Sequence, residues 1–330
     1  MKRKDFSNLK LAVQKEKETY FDHEEFIAGT PPYLRGVQAS MYLQNPIINS
    51  ILIAAPSPEK CNAILKDNIS KGEKSFTFNF NLNSEKKAEN GGIILNSTED
   101  IQQLFKNTNL QNLDITISSN GNTQTILSLL LKGLKELNIP YENLKISVLF
   151  AIGNNEESID DIFSYSSSRI PKLNTIILSS NPSNTISSEV ELANLLTTVA
   201  VFLKKNTSHK TSIDSLANII SFNLNTSKNH FEDIAKMRAA RLLWAKTMQQ
   251  FNPKNQQSSA LKLFTNTTNI IDVLTAFLGG SQRLNSLKTS QLFIEEETNI
   301  LKTVDPWAGS KIIEKRTLEI INNTWNLIKS

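Results

Sequence analysis

The chain has 330 residues, with 36 Lys and Arg against 32 Asp and Glu and a formal net charge of +4. Apolar residues make 39% and charged residues 21%, enough for one large domain with a substantial core. No apolar run reaches the roughly 18 residues of a membrane helix, the scattered bases build no aromatic-basic platform for nucleic acid, and the single cysteine, Cys61, excludes an internal disulfide and fits a reducing cytoplasm.

In chain order, the first 28 residues are basic and lack the apolar h-region of a signal peptide. Phe6, Leu9, Leu11, Val13, Tyr20, Phe21 and Phe26 need a surface, so this segment reads as a helical arm that lies on its own domain or wraps a partner. Residues 29–330 read as one domain. It opens with GTPPYLRGVQASMYLQNPIINSILI, where a double proline, an Arg-Gly pair and a Met-Tyr pair crowd together and nothing from Leu43 to Ile53 is titratable. Short β-rich runs then alternate with amphipathic stretches. Strands are predicted over 51–55, 75–81, 113–118, 145–151, 175–179, 219–223 and 261–265, and helices over 58–70, 98–105, 123–137, 159–167, 189–204, 230–250, 291–304 and 310–328. SFTFNFN alternates at period two, while ISVLFAI and NTIILSS are near-continuous, as strands buried on both faces tend to be. Alternation at this spacing predicts a parallel sheet, and these strands with a short glycine-rich eighth at 277–282 predict an α/β fold: a TIM-type eight-stranded barrel, shortened, with an open doubly wound sheet as the alternative.

In the helix predicted over 230–250, a pitch of about 100° per residue puts Phe231, Ile234, Ala235, Leu242, Ala245 and Met248 on one side, with Arg238 and Arg241 inside the same arc. A buried arginine needs a carboxylate, a carbonyl or a phosphate. Structural pairing is the expectation here, and an anion ligand is the alternative.

Chemistry-bearing motifs are sparse. Walker, GxGxxG, CxxC and HExxH patterns are absent, and Gly279-Gly280 stands alone. Of the three histidines, His23 falls in the charged arm, His209 in a polar loop and His230 near a helix start. None falls at the carboxyl end of a predicted strand, where barrel active sites are built, so each reads as a surface residue. The acid pairs Glu24-Glu25, Asp160-Asp161 and Glu295-Glu296-Glu297 sit on helices or the arm. Adjacent helical positions diverge, so they read as solvated faces rather than acid/base dyads. Cys61 reads as a small core residue.

GTPPYLRGVQASMY at 29–42 resembles the G-x-PPF-x-RG-x-x-ATMY pattern of the methylmalonyl-CoA mutase family. The likeness continues in order. IFSYSSSRIPKLNTIILS (162–179) resembles IFAYTSANMPKWNSISIS, and KMRAARLLWAKTMQQFNPKNQQS (236–258) resembles KLRAARxLWAxxxxxFGPKNPKS. GGSQRLNS (279–286) and DPWAGS (305–310) resemble GGTQSLHTNS and DPWGGS. The resemblance implies a substrate-binding barrel joined to a C-terminal cobalamin domain, with adenosylcobalamin supplying the radical.

The departures fall on the residues the family uses. Counting from Met41-Tyr42, the active-site tyrosine falls at Leu52, two acyl-CoA arginines at Asn45 and Ser50, and a further tyrosine at Gln38. A Tyr-His pair becomes Asn181 and Pro182, and two histidines become Asn285 and Phe264. The loop between AIGNNEES and IFSYSSS and the stretch between TNTTN and GGSQ are short. The chain ends at Ser330 without room for a cobalamin domain, and the DxHxxG signature that ligates cobalt is absent.

The expectation is a cytoplasmic, non-catalytic small subunit of a heterodimeric methylmalonyl-CoA mutase, with no catalytic, cofactor-binding or metal-binding residue of its own. A catalytic large subunit would bind adenosylcobalamin and interconvert (R)-methylmalonyl-CoA and succinyl-CoA. The alternatives are a stand-alone barrel enzyme of different chemistry, a catalytic mutase chain borrowing a separate cobalamin subunit, and a homodimeric pseudoenzyme scaffold.

Overall fold

The computed structural model describes residues 22–55, 57–82, 92–119, 122–140, 144–152, 158–170, 173–180, 186–209, 211–286 and 288–329. Most of the expected arm, and Asn181 and Pro182, lie outside them. The strands are β1 (Ile48–Asn49), β2 (Ile51–Ile53), β3 (Ser75–Asn81), β4 (Ile93–Ile94), β5 (Asp114–Ser119), β6 (Lys145–Ile152), β7 (Leu173–Ser180), β8 (Ile220–Asn225), β9 (Lys262–Asn266) and β10 (Arg283–Asn285). The helices are α1 (Pro58–Ser70), α2 (Thr98–Phe105), α3 (Thr123–Glu136), α4 (Ile159–Arg169), α5 (Ser188–Asn206), α6 (Ile213–Ile219), α7 (His230–Gln249), α8 (Ile270–Leu278), α9 (Lys288–Glu297) and α10 (Lys311–Lys329).

The sheet runs β1-β10-β9-β8-β7-β6-β5-β3-β2, with β4 attached to β3, and every ladder is parallel. Only Ser50 separates the two ends of this path, and its N–H donates to Leu284 O at 2.8 Å. The sheet therefore closes on itself as the predicted α/β barrel, with residues 48–53 as one stave interrupted at Ser50. Alternation decides which side chains face the helices. Phe76, Phe78 and Phe80 of β3 pack outward into the core with Cys61, Leu65, Leu104 and Phe105, while Thr77 turns inward to Ser50. Helix starts follow their caps: Ser57 accepts from Lys60 N ahead of Pro58, and Ser158 and Asp161 form a capping box on α4. Among the described residues no helix is long and apolar enough to cross a membrane.

The last third of the chain departs from expectation. The eighth strand is Arg283–Asn285, not 277–282; Phe277 and Leu278 finish α8, and the turn at Gly279-Gly280 follows. Asn269 caps α8 by accepting from the N–H groups of Ile271 and Asp272. The helix predicted over 291–304 is α9 followed by a separate 3-10 turn at Ile300–Lys302. The short helix α6 was also not foreseen. Helix α7 is buried nearly all round instead of on one side: Ala239, Ala240, Leu243 and Trp244 are buried, whereas Phe231 is exposed.

An ionic frame ties the opening motif to α7 and α10. Arg35 Nη1 donates to Asp305 Oδ2 (2.9 Å) and Glu314 Oε1 (2.8 Å), and its Nε to Phe26 O (2.8 Å). Arg238 donates to both oxygens of Asp305 (2.6 and 2.8 Å) and to Glu314 Oε1 (2.7 Å). Arg241 instead meets carbonyls, Leu34 O at 2.9 Å and Gly279 O at 2.7 Å. Both arginines are thus structurally paired. His23, expected at the surface, is buried, with Nε2 2.8 Å from Glu314 Oε2. Burial acts to raise the Glu314 carboxyl, but the hydrogen bond from His23 and the charge of Arg238 outweigh it and bring its pKa down to about 2.

Candidate functional site

The ladder register sorts side chains into an unusually polar lumen. Paired residues of parallel strands share a face, so Thr77, Thr116 and Ser147 form one inward row across β3, β5 and β6. Ser179 and Asn223 continue on β7 and β8, where Asn223 Nδ2 donates to Ser179 Oγ at 3.0 Å. Ser50 and Thr77 share a hydrogen bond at 2.8 Å. TIM barrels usually fill this space with branched aliphatics. Here hydroxyls and amides line much of it, and the larger inward side chains include Leu149 and Ile177, paired on β6 and β7, and Phe264 and Arg283, paired on β9 and β10.

A pocket of about 530 Å3 opens at the amino-terminal ends of the strands, lined by Asp114, Lys145, Asn174, Ser221, Lys262 and Arg283 and by the loop that carries Gln38, Tyr42 and Asn45. Arg283 runs from this mouth into the lumen: Nη1 donates to Thr116 Oγ1 at 3.0 Å, and Nη2 is 3.3 Å from Asp114 Oδ2. Burial pulls the Arg283 pKa down and the Asp114 charge opposes it. A second cavity, about 390 Å3, is lined by Leu52, Thr267, Thr268, Asn285, Ser286 and Lys288.

The expected substitution positions therefore separate into two groups. Gln38, Asn45 and Phe264 line the amino-terminal pocket; Leu52 and Asn285 meet in the second cavity; Ser50 is buried between them. In the second cavity the ionisable side chain is Lys288, and Glu73 holds its ammonium at 3.2 Å. That cavity can hydrogen-bond a ligand but offers no acid/base pair.

Other titratable groups near the carboxyl ends of β7 and β8 are fully engaged. Lys236 Nζ lies 2.9 Å from Glu191 Oε2, 3.4 Å from Asp233 Oδ1 and 2.7 Å from Asn225 O, and Ser180 Oγ donates to Glu191. Burial raises the Asp233 carboxyl against the pull of Lys236. His230 Nδ1 meets Thr275 Oγ1 at 2.6 Å, burial lowers its pKa, and His209 is exposed. Cys61 is fully buried and its thiol is pushed up to about 11, as a core residue's should be. Among the described residues no three or more His, Cys, Asp and Glu side chains gather to hold a metal ion. Sequence reasoning missed Arg283. The signal was present, since arginine stands in GGSQRLNS where the resembled pattern GGTQSLHTNS has serine.

Comparison with known proteins bears on this arrangement. A family model described as Methylmalonyl-CoA mutase matches residues 5–276 and 280–330. The chain is similar to the methylmalonyl-CoA mutase large subunit of Porphyromonas gingivalis, with 27% identity across 93% of this chain and 51% of that one. It is also similar to the large subunits of Streptomyces virginiae (26% identity, 93% and 50% covered) and Propionibacterium freudenreichii subsp. shermanii (25% identity, 92% and 50% covered). The chain spans about half the length of the curated relatives it matches. With the barrel, the ionic frame and a match over nearly the whole chain in hand, this protein belongs to the methylmalonyl-CoA mutase family.

Proposed function

We propose that the chain is the non-catalytic small subunit of a heterodimeric, adenosylcobalamin-dependent methylmalonyl-CoA mutase, and that it stabilises a catalytic large subunit. The observation that carries this reading is the cavity where Leu52 and Asn285 meet. By the family resemblance these positions would carry a tyrosine and a histidine, and the groups that replace them cannot donate or accept a proton near neutral pH. Two of the three histidines are already engaged within the fold, His23 with Glu314 and His230 with Thr275, and the third, His209, is exposed and lines neither cavity. The cofactor and the isomerisation are assigned to the partner, in keeping with relatives that are themselves named large subunits.

Co-expression with the large mutase subunit of the same organism tests this. A one-to-one complex whose turnover ignores Leu52→Tyr supports it. A chain that stays alone while the large subunit works without it defeats it. One observation favours a second reading, a barrel that still binds a ligand of its own: the lumen is polar rather than greasy, with a cationic pocket at one end.

A further inference from the structure

Four large apolar side chains face solvent on one flank of the barrel: Phe231 of α7 (45% exposed), Ile271 of α8 (60%), Phe293 of α9 (51%) and Ile312 of α10 (69%). Phe231, Ile271 and Ile312 each stand second in their helix and Phe293 lies in the second turn of α9, so the four share one level near the helix starts. Helix α8 is the middle of this band. On one side Val273 and Phe277 pack with Ile294 of α9; on the other Leu278 packs with Ile234 of α7 and Ile313 of α10, and Leu274 touches both groups. Phe231 meets Trp307 edge-on at 5.5 Å, which brings the loop ahead of α10 to the same flank. Single exposed apolar residues are ordinary, but a band of them across four helices marks an interaction surface.

The two ends of the band carry opposite charge. Segments 228–234 and 300–315 bring the exposed lysines Lys228, Lys302, Lys311 and Lys315. The acids on those segments are all taken within the fold: Glu232 by Arg316, Asp233 by Lys236, Asp305 by Arg238 and Glu314 by Arg35. Among the described residues the four lysines have no carboxylate partner. At the other end Gln291 holds Glu295, while Glu296 and Glu297 are exposed beside Leu292 and Phe293, with no basic partner among the described residues. Positions 292, 293, 296 and 297 share one face of α9 by the three-and-four spacing.

We propose that this flank docks a second copy of the chain about a two-fold axis that runs beside Ile271, parallel to α8. Such an axis sets Ile271 against its own copy and lays the lysine end of each protomer on the α9 end of the other, twice over. A two-fold contact needs a self-complementary surface, and opposite charges on either side of an apolar centre make one. An axis turned across α8 would instead face lysines with lysines, so the charges fix the orientation. Helices packed about 8–10 Å apart make the band from α10 to α9 roughly 25–30 Å long, enough for the about 800 Å2 per partner of a standard interface. Self-association of this kind is independent of any large subunit.

Sedimentation velocity of the full chain alone, from about 1 to 100 μM, tests this. The wild type is expected to pass from 37.0 kDa to twice that mass as concentration rises. Ile271→Asp is expected to weaken association at least about tenfold, and an acid in the first turn suits the helix dipole, so α8 keeps its fold. Lys302→Glu with Lys311→Glu and Lys315→Glu makes the lysine end acidic; Glu296→Lys with Glu297→Lys makes the α9 end basic. Each of these variants by itself is expected to stay single, and a mixture of the two is expected to restore a one-to-one pair, because opposite ends then meet again. The proposal is overturned if the wild type stays at 37.0 kDa throughout, if a folded I271D associates as the wild type does, if the mixture of folded charge variants stays single, or if association runs on past two copies. Should I271D lose its melting transition, the mixture of charge variants decides by itself.

Discussion

The ionic frame around Glu314 and the cavity around Leu52 are parts of one barrel, yet they differ in how tightly each side chain is held. Glu314 is fully buried and engages Arg35, Arg238, His23 and the N–H of Gly309. Leu52 is 42% exposed on the wall of an open cavity. Removing one partner of a buried charge cluster leaves the others uncompensated, whereas changing a side chain on a cavity wall strands nothing. Under the reading proposed above, a chain can lose its chemistry position by position while its scaffold motifs stay fixed. Arg35, Arg238 and Trp244 match the resembled pattern here beside the departures at Leu52, Asn285 and Phe264.

The sharpest way to break this contrast is Glu314→Gln. It leaves two arginines facing one remaining carboxylate, Asp305, and is expected to cost about 3–5 kcal/mol, read as a lower urea midpoint at unchanged slope. Trp244→Ala should cost about as much by a different route, since it opens a cavity against Phe222 and frees the Ser258 carbonyl that the indole N–H now satisfies. A cost below about 1 kcal/mol for either would mean that the frame is not what holds α7 to the opening motif.

Acid sharpens the same comparison. Glu314 has its folded pKa lowered to about 2, so its stabilisation is complete above its ordinary value near 4.5 and is lost as pH falls toward 2. The expected contribution is on the order of 3 kcal/mol. Urea midpoints between pH 6 and about pH 2 should show a fall in wild type that is shallower in E314Q.

Local signals were legible in the sequence, and distant ones were not. The strand at 75–81 and the helices at 58–70 and 98–105 match their structural bounds because period-two alternation, Pro58 at N1 and the Ser97 cap are all written within a few residues. Helix α8 was missed and the eighth strand was placed at 277–282, because mostly apolar residues from Ile270 to Leu278 leave helix and strand undecided and only the Asn269 cap marks the helix start. The counter-ions of Arg238 lie 67 and 76 residues away, and Thr116 lies 167 from Arg283. No spacing rule reaches that far; barrel closure alone brings them together. The departures from the resembled pattern were readable near Met41-Tyr42 for Gln38, Asn45, Ser50 and Leu52 and from later motifs for Phe264 and Asn285, but their division between two cavities was not.

The smallest expected effect tests the cavity itself. Leu52→Tyr and Asn285→His place the family's phenol and imidazole on neighbouring walls of a cavity of about 390 Å3, where there is room for both. Stability should change by less than about 0.5 kcal/mol in each single variant, a shift of roughly 2 °C or less in Tm. Turnover measured with a large mutase subunit should stay within about twofold, because neither change touches the other positions at which this chain departs from the resembled pattern, Asn45, Ser50 and Phe264. A rise well beyond that would mean that this barrel takes part in the reaction, against the reading proposed above.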